Sequence, residues 1–300
     1  MSQVWVVGEV LIDLIPEGSE RKSIVGGGPA NTAKALSKLG IDTHFIDGIS
    51  TDDYGQMAKG DLVALGVKLD YVKYSDKPTC LAIVSLSDTG SASYEFVIEN
   101  TATFDFNLDW LPNPQTEWPV LLHIGTLATA IEPGASVLFD WAQSVAKVAP
   151  IVFDPNIRPA VISDRDLYVK QVEQWVSISS AVKVSDEDIR WLYPSLEIEQ
   201  VVDNWLVKGP SLIVVTSGDK GLAGYRVGEK VIVDAVKVAV ADTVGAGDTV
   251  GAILVEAIVK GGLDTLGGVR LEMMLNRAAK AAAVTVSRSG ANPPTLKEIE

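Results

Sequence analysis

Asp242-Thr243-Val244-Gly245-Ala246-Gly247-Asp248 stands between two stretches of different period. The run 230–240 that leads in has the character of a strand. Beyond the motif, Val250, Ile253, Leu254, Ala257 and Ile258 recur at i, i+3, i+4, i+7 and i+8, a helix face that Gly261-Gly262 ends. Gly245, Ala246 and Gly247 therefore lie where a helix begins. Backbone N–H groups there lack partners, and the helix dipole adds partial positive charge. Such a turn can hold an anion, most readily a phosphate. Asp248 falls in the first helical turn, beside whatever the amides hold. A carboxylate next to a phosphate cradle suits phosphoryl transfer, with the acid taking a proton from the attacking hydroxyl. Glycines and an Asp at a helix start are also ordinary capping chemistry, and the motif alone leaves both readings open. A dinucleotide fingerprint is a poor match, because Gly245-x-Gly247-x-x-x-Gly251 has the wrong spacing.

Upstream, the same order of strand, glycine and helix recurs. Val4 to Val7 is a short β-rich run ending at Gly8-Glu9, and the apolar stretch 10–15 carries Asp13. An acid just past the first strand of an α/β sheet lies near the strands' carboxyl ends, where ligands bind. Asp13 is thus a partner for sugar hydroxyls or a solvated loop acid. Gly26-Gly27-Gly28-Pro29-Ala30-Asn31 then opens a helix with Ala33, Leu36 and Leu39 on one face and Gly40 as its stop. Glycines before a helix let the backbone approach a ligand closely. Asn31 offers a donor and an acceptor to a hydroxyl-rich ligand.

Ile41 to Ile46 reads as a second strand and Asp53 to Leu65 as a helix, so the order β-α-β-α predicts a parallel sheet with helices outside it. The pattern then changes. Three strand-like runs, 69–74, 79–86 and 93–98, follow without helices, with a hairpin turn at Ser87-Asp88-Thr89-Gly90. They predict a small separate sheet, a discontinuous β-lid formed by about 10–22 and 69–104. Its exposed face would be apolar unless paired with a second copy, which suggests a homodimer.

From Val120 the β-α alternation resumes, with a strand at 120–124, a helix at 133–148 and a strand at 151–153. Asp154-Pro155-Asn156-Ile157-Arg158-Pro159 follows as a rigid loop at a strand's carboxyl end. Arg158 is a candidate for a phosphate or sugar oxygen, or for a surface salt bridge. A strand at 181–184 leads into Ser185-Asp186-Glu187-Asp188, acids that complement a helix dipole or reach magnesium through water. A further strand, 212–215, ends in Thr216-Ser217-Gly218-Asp219-Lys220-Gly221, and an Ala-rich helix spans about 271–286. The expectation is one α/β domain over 1–300: a doubly wound, mostly parallel sheet with helices on both faces, plus the small lid.

Composition narrows the function. A net charge of −14 argues against nucleic acid and anionic membrane surfaces as partners. No apolar run reaches the length of a membrane span, and the start of the chain lacks the basic-then-apolar form of a signal peptide. One cysteine, Cys80, permits no internal disulfide and fits a reducing, cytoplasmic setting. With two histidines, expected at strand edges, a zinc site is improbable. Neither a G-x-S-x-G elbow nor a G-x-x-x-x-G-K-[ST] phosphate loop occurs.

Taken together, the motifs carry a resemblance. Gly26 to Asn31 with Gly40 resembles the first signature of the ribokinase-like (PfkB) carbohydrate kinases, and Asp242 to Asp248 resembles the second. Gly48-Ile49-Ser50-Thr51-Asp52-Asp53-Tyr54-Gly55 is similar to the family's G-x-x-G-x-D-x-x-G segment, with Thr51 in place of its second glycine. The resemblance implies ATP-dependent phosphorylation of a sugar hydroxyl on a ribokinase-like fold with a lid. It implies Asp248 as catalytic base, with the amides of Gly245, Ala246 and Gly247 as the anion hole. It puts Asp13, Gly27, Gly28, Asn31, Asn156 and Arg158 at the sugar, and Ser185, Thr216, Gly218, Gly221 and Asn276 at the nucleotide.

Within the family, Asp154-Pro155-Asn156-x-Arg158 and Gly8-Glu9-x-Leu11-Ile12-Asp13 look most like fructokinases, which implies D-fructose converted to fructose 6-phosphate. The family's N-x-x-E segment appears as Ser185-Asp186-Glu187-Asp188, so Asp188 reaches one methylene less far toward a water-bound Mg²⁺. Asp242, Val244 and Gly290 correspond to a monovalent-cation (K⁺) site, although Pro294 replaces a serine ligand of some members. The lid stretch 98–105 departs from the fructokinase pattern, where an Arg and an Ala-Asp pair are common. The alternatives are a 2-keto-3-deoxygluconate kinase, a ribokinase or a nucleoside kinase of the same family, and a non-catalytic sugar-binding regulator.

Overall fold

The computed structural model describes residues 3–86 and 92–300. The chain begins β1 (Val4–Val7), β2 (Leu11–Glu17), β3 (Glu20–Gly26), α1 (Gly28–Lys38), β4 (Thr43–Ile46), β5 (Gly48–Ser50) and α2 (Asp53–Ala64). Next come β6 (Lys73–Ser75), β7 (Leu81–Leu86), β8 (Ala92–Val97), α3 (Pro114–Glu117), β9 (Leu121–Gly125), α4 (Gly134–Val145) and β10 (Ile151–Asp154). They are followed by α5 (Arg165–Ile178), β11 (Ala181–Ser185), α6 (Asp186–Leu192), α7 (Ile198–Leu206) and β12 (Leu212–Thr216). The last elements are β13 (Leu222–Arg226), β14 (Glu229–Val233), α8 (Ala246–Gly261), α9 (Val269–Val286) and α10 (Leu296–Ile299).

The main sheet has the order β14-β13-β12-β11-β10-β9-β1-β4. From β4 to β12 every pairing is parallel, and β13 and β14 add an antiparallel edge. Both faces are covered, so the strands are apolar on both sides. Trp5, Val7, Ile124, Phe153 and Val184 pack with Trp141 of α4, Trp175 of α5 and Trp205 of α7. Val4, Val6, Leu121, Val152 and Val214 pack with Leu36 of α1, Ile253 and Leu254 of α8 and Leu275 of α9. Each such fully buried aliphatic side chain contributes ~1.5–3 kcal/mol. Strand order reverses between β1 and β9. That switch point opens a crevice at the carboxyl ends, the place where α/β sheets bind ligands.

The small sheet has the order β3-β2-β7-β8. Its pairing of β2 with β7 is parallel, and the other two pairings are antiparallel. Two acids tie its connections to the main domain. Asp47, 0% exposed, accepts from Val10 N at 2.9 Å, Gly48 N at 2.8 Å and Thr103 Oγ1 at 3.3 Å. Asp52 caps α2 through Gly55 N at 2.7 Å and also accepts from Thr79 N at 2.9 Å and Thr79 Oγ1 at 2.5 Å.

Several expectations are corrected here. The run 69–74 does not join the small sheet: β6 starts at Lys73 and pairs with β5 in a separate two-stranded ribbon. Strand β14 ends at Val233, and 234–245 is irregular, with Val236, Val238 and Val240 at 47%, 41% and 63% exposure. The alternation there has no partner strand to pair with. His123 is not at an edge but inside β9, 1% exposed, between β1 and β10. Burial pushes its imidazole down to about 4. His44 does lie on the edge strand, β4, between Asp42 and Asp70. The hairpin expected at 87–90 lies outside the described residues. Helices α5 and α7 were not anticipated, although Tyr168, Val172, Trp175 and Val176 keep helical spacing behind the N-cap of Asp164.

Candidate active site

Glycine starts both helices that converge on the switch point. Helix α8 has Gly245 as its N-cap at φ 81°, left-handed, with no side chain capping the turn. That conformation favours glycine, and it leaves the first amides without a side-chain acceptor. Ala246 N reaches Thr243 O at only 3.4 Å. Among the described residues, the amides of Gly245, Gly247 and Asp248 have no acceptor. Of the three amides expected to form the anion hole, Gly245 N and Gly247 N are thus open and Ala246 N is weakly engaged, and Asp248 N adds a further open donor.

Helix α1 begins at Gly28 and lies against α8. Asn31 Nδ2 donates to Asp248 Oδ2 at 2.9 Å, and both residues are buried, at 5% and 8% exposure. A Cβ placed on Gly28 would lie 2.9 Å from Thr126 Cγ2, 3.0 Å from Asn156 Nδ2 and 3.3 Å from Asp248 Oδ1. Gly28, Thr126, Asn156 and Asp248 thus surround one small volume, and a side chain at 28 would fill it. Two of these residues hold left-handed backbone without being glycine: Thr126 at φ 58° and Asn156 at φ 39°. Such conformations cost ~1–3 kcal/mol each and gather at functional sites.

Burial raises Asp248 to about 6; Lys183 pulls it down, Asp154 pushes it up, and Asn31 and Arg158 lower it. A carboxylate with that pKa is mostly ionised at neutral pH yet still basic enough to accept a proton. Asp13 on β2 is likewise raised to about 6 by burial, against the pull of Lys34 and Arg158. Glu9, 3% exposed, rises to about 7 by burial; Thr126 Oγ1 and Ala128 N donate to its carboxylate. Arg158 is half-buried, and its Nη1 donates to the carbonyls of Asn156 at 3.3 Å and Ile157 at 3.0 Å. Among the described residues no carboxylate lies within ion-pair distance of it, so the salt-bridge alternative is not realised. A half-buried guanidinium facing Glu9, Asp13 and Asp248 is placed to meet an anionic or polar ligand.

The other anticipated residues fall on neighbouring strand ends. Ser185 and Asp188 form a capping box on α6: Asp188 N donates to Ser185 Oγ at 3.0 Å, and Ser185 N to Asp188 Oδ2 at 3.4 Å. Asp188 Oδ1 also accepts from Ile157 N at 3.0 Å, and burial raises its pKa. Its carboxylate is thus committed to backbone donors, which leaves a water-mediated reach toward a metal ion. No group of three or more potential ligands forms a metal cage among the described residues. Thr216 and Gly218 lie at the end of β12, and Gly221 turns at φ 100°. Asn276 is exposed on α9, its Nδ2 on Glu272 O at 3.0 Å. Asp242 draws Val244 and Gly290 together, accepting from Val244 N at 3.0 Å and Gly290 N at 2.8 Å.

Glu9, Thr126, Asp154 and Lys183 were not anticipated as site residues. Thr126 follows Gly125 at a strand's carboxyl end, the signal that found Asn156. Nothing local marks Lys183.

A doubly wound sheet whose switch point carries an acid beside an open helix start has the architecture of a small-molecule kinase. Comparison with known proteins agrees. The pfkB family carbohydrate kinases match residues 1–298. Fructokinase of Rhizobium leguminosarum bv. trifolii is 34% identical over 247 residues, covering 81% of this chain and 75% of that protein. The structure of fructokinase with bound ATP from Xylella fastidiosa superposes with a TM-score of 0.92 at 22% identity, covering 99% and 96% of the two chains. A doubly substituted fructokinase from Vibrio cholerae O395, in its fructose-, ADP- and potassium-bound form, gives 0.85 at 26% identity, covering 97% and 94%. The chain belongs to the pfkB family of carbohydrate kinases. No helix among the described residues is long and apolar enough to cross a membrane.

Proposed function

We propose that the chain is an ATP-dependent fructokinase that transfers the γ-phosphoryl group to the 6-hydroxyl of D-fructose. The observation that carries this reading is Asp248, held by Asn31 at the open start of α8 and facing the space above Gly28. Asp248 accepts the hydroxyl proton. The amides of Gly245, Ala246 and Gly247, with that of Asp248, stabilise the transferring phosphoryl group. Asp13, Gly27, Gly28, Asn31, Asn156 and Arg158 hold the sugar. Thr216, Gly218 and Gly221 line the nucleotide phosphates, Asn276 lies toward adenine, and Ser185 and Asp188 stand near the metal. A bound Mg²⁺, reached through water by Asp188, would supply neutralisation of the phosphate charge. Asp242, Val244 and Gly290 organise the loop that takes K⁺. The small sheet acts as a lid that excludes water and pairs with that of a second copy, and the protein works in the cytoplasm.

The family of relatives supports the reaction, and fructokinases among them support the sugar. The test is ADP release over a panel containing fructose, 2-keto-3-deoxygluconate, ribose and nucleosides. Turnover confined to fructose is expected. A preference for another member of the panel would overturn the sugar assignment. Sugar binding without ADP release from any of them would favour a regulator.

A further inference from the structure

On the sheet face beneath α8, the inward positions of the central strands are apolar: Val6, Leu121, Val152, Ala181 and Val214 are at most 0% exposed. Three positions break that pattern, each on the next inward step toward the carboxyl end. They are His123 on β9, Asp154 on β10 and Lys183 on β11, at 1%, 0% and 4% exposure. Lys183 Nζ meets Asp154 Oδ2 at 2.9 Å. A buried ion pair is weak evidence for stability, since apolar residues of the same volume often serve as well. Its position is therefore the informative feature. A Cβ built on Gly247 would lie 2.8 Å from Lys183 Nζ, so the ammonium sits directly against the first turn of α8. The other oxygen of Asp154, Oδ1, is buried and takes no hydrogen bond among the described residues.

We propose that Lys183 and Asp154 are positioning residues for phosphoryl transfer: Lys183 fixes a positive charge under the first turn of α8, and Asp154 holds it there. The inference rests on the kinase reading of Asp248. It assigns the two partners opposite effects on that base. Burial raises Asp248, Lys183 favours its ionised form, and Asp154 opposes it. For Lys183, burial works against the charge, and Asp154 and Asp248 more than offset it, so its pKa rises. The groups that face Asp248 are Lys183 from β11, Asp154 from β10, Asn31 from α1 and Arg158 from the loop after β10. Asp188 of α6 also faces Lys183, and His123 of β9 faces both members of the pair.

The experiment measures kcat against pH with fructose and Mg-ATP for the wild type, Lys183→Met, Lys183→Arg and Asp154→Asn. Carboxyl NMR of the nucleotide-free proteins follows Asp248 independently of turnover. Lys183→Met should move the acid limb up by about one pH unit and lower kcat at least ~10-fold, leaving KM for fructose nearly unchanged. Asp154→Asn should move the limb down, and Lys183→Arg should keep it in place. A double variant, Lys183→Met with Asp154→Leu, guards against misfolding of the single ones. It should fold as stably as the wild type yet stay impaired in turnover. Limb shifts of the same sign in Lys183→Met and Asp154→Asn, or a double variant with wild-type kcat, would overturn the proposal. A wild type that phosphorylates no sugar would instead refute the kinase reading. The Asp248 titration would then still decide whether the pair acts on it.

Discussion

The Asn31 amide and the Asp248 carboxylate meet at 2.9 Å across 217 residues of sequence. With Thr32 Oγ1, which donates to Asp248 O at 3.4 Å, this bond joins the starts of α1 and α8, the two glycine-initiated helices of the chain's two signatures. It occupies Asp248 Oδ2 and leaves Oδ1 directed at the volume above Gly28. Replacing Asp248 with Asn should keep this geometry and remove the base. We expect kcat to fall by roughly 10²–10⁴ while calorimetry shows fructose binding within a few-fold of wild type. Near-normal turnover would refute the assignment.

Gly28→Ala places a methyl group among Thr126, Asn156 and Asp248. The expected result is a KM for sugar raised by about tenfold or more, the scale of losing ~1.4 kcal/mol of binding, with a stability cost of about 1–3 kcal/mol for the close approach to Thr126. Gly60→Ala is the control. Gly60 lies in α2 with nothing within 4 Å of its Cβ position, so alanine should stabilise the helix by up to ~1 kcal/mol. Equal kinetic effects from the two substitutions would count against a sugar site at Gly28.

Stability should fall as pH rises through the mildly acidic range. Glu9, Asp13 and Asp248 have folded pKa values of about 7, 6 and 6, above their ordinary values. Between about pH 4 and pH 8 the folded chain retains protons that the unfolded chain has released, so unfolding becomes easier with rising pH; above about 8 the loss from these three groups is complete. Glu9→Gln should stabilise the fold by on the order of 3 kcal/mol at pH 8, seen as a raised melting temperature, and change it little at pH 5. Thermal melts across pH measure this, and an identical pH slope in wild type and variant would refute it.

Helices α8 and α9 are joined by Glu256, whose side chain is 4% exposed and bound by Arg277 Nε at 3.1 Å and Lys260 Nζ at 2.7 Å. Arg277 also donates to Ile299 O at 3.1 Å. Arg277→Met removes two of the three donors to Glu256, leaves the buried carboxylate to Lys260 alone and should cost about 1.5–3 kcal/mol. Lys260 is 55% exposed, so Lys260→Met should cost less than ~1 kcal/mol. Denaturant midpoints that rank the two variants the other way round would contradict this division.

The alternating order of strands and helices was legible because the central strands are apolar and helices such as α1, α2, α6 and α8 start at glycine or a small polar residue. Asn31, Asn156, Arg158 and Asp248 could be found because they lie at strand ends or first turns, where sequence position alone implies proximity to the crevice. Lys183 could not. It is the third residue of a five-residue strand, and only the register that sets it opposite Asp154 makes it a core ion pair. The strand expected over 230–240 failed for a related reason. Alternating valines describe a ribbon that could pair, and pairing depends on a neighbour that the sequence does not name. Helix α5 was missed although its spacing was present, because the charged residues between its apolar positions diluted the pattern.

The small sheet joins the main domain through four stretches of chain, and two aspartates hold three of them. Asp47 grips the first departure at Val10 and the last return at Thr103, and Asp52 grips the passage at Thr79. The fourth is Gly26-Gly27, where Gly27 stands at φ 105°. The arrangement resembles a door with its pins along one side and a glycine bend on the other. As the proposed lid, the sheet would swing about the line from Asp47 to Asp52 and bend the chain at Gly26-Gly27, next to the residues proposed to hold the sugar. Opening such a door would also shift the floor it shuts against, so that one motion would both admit and release the ligand.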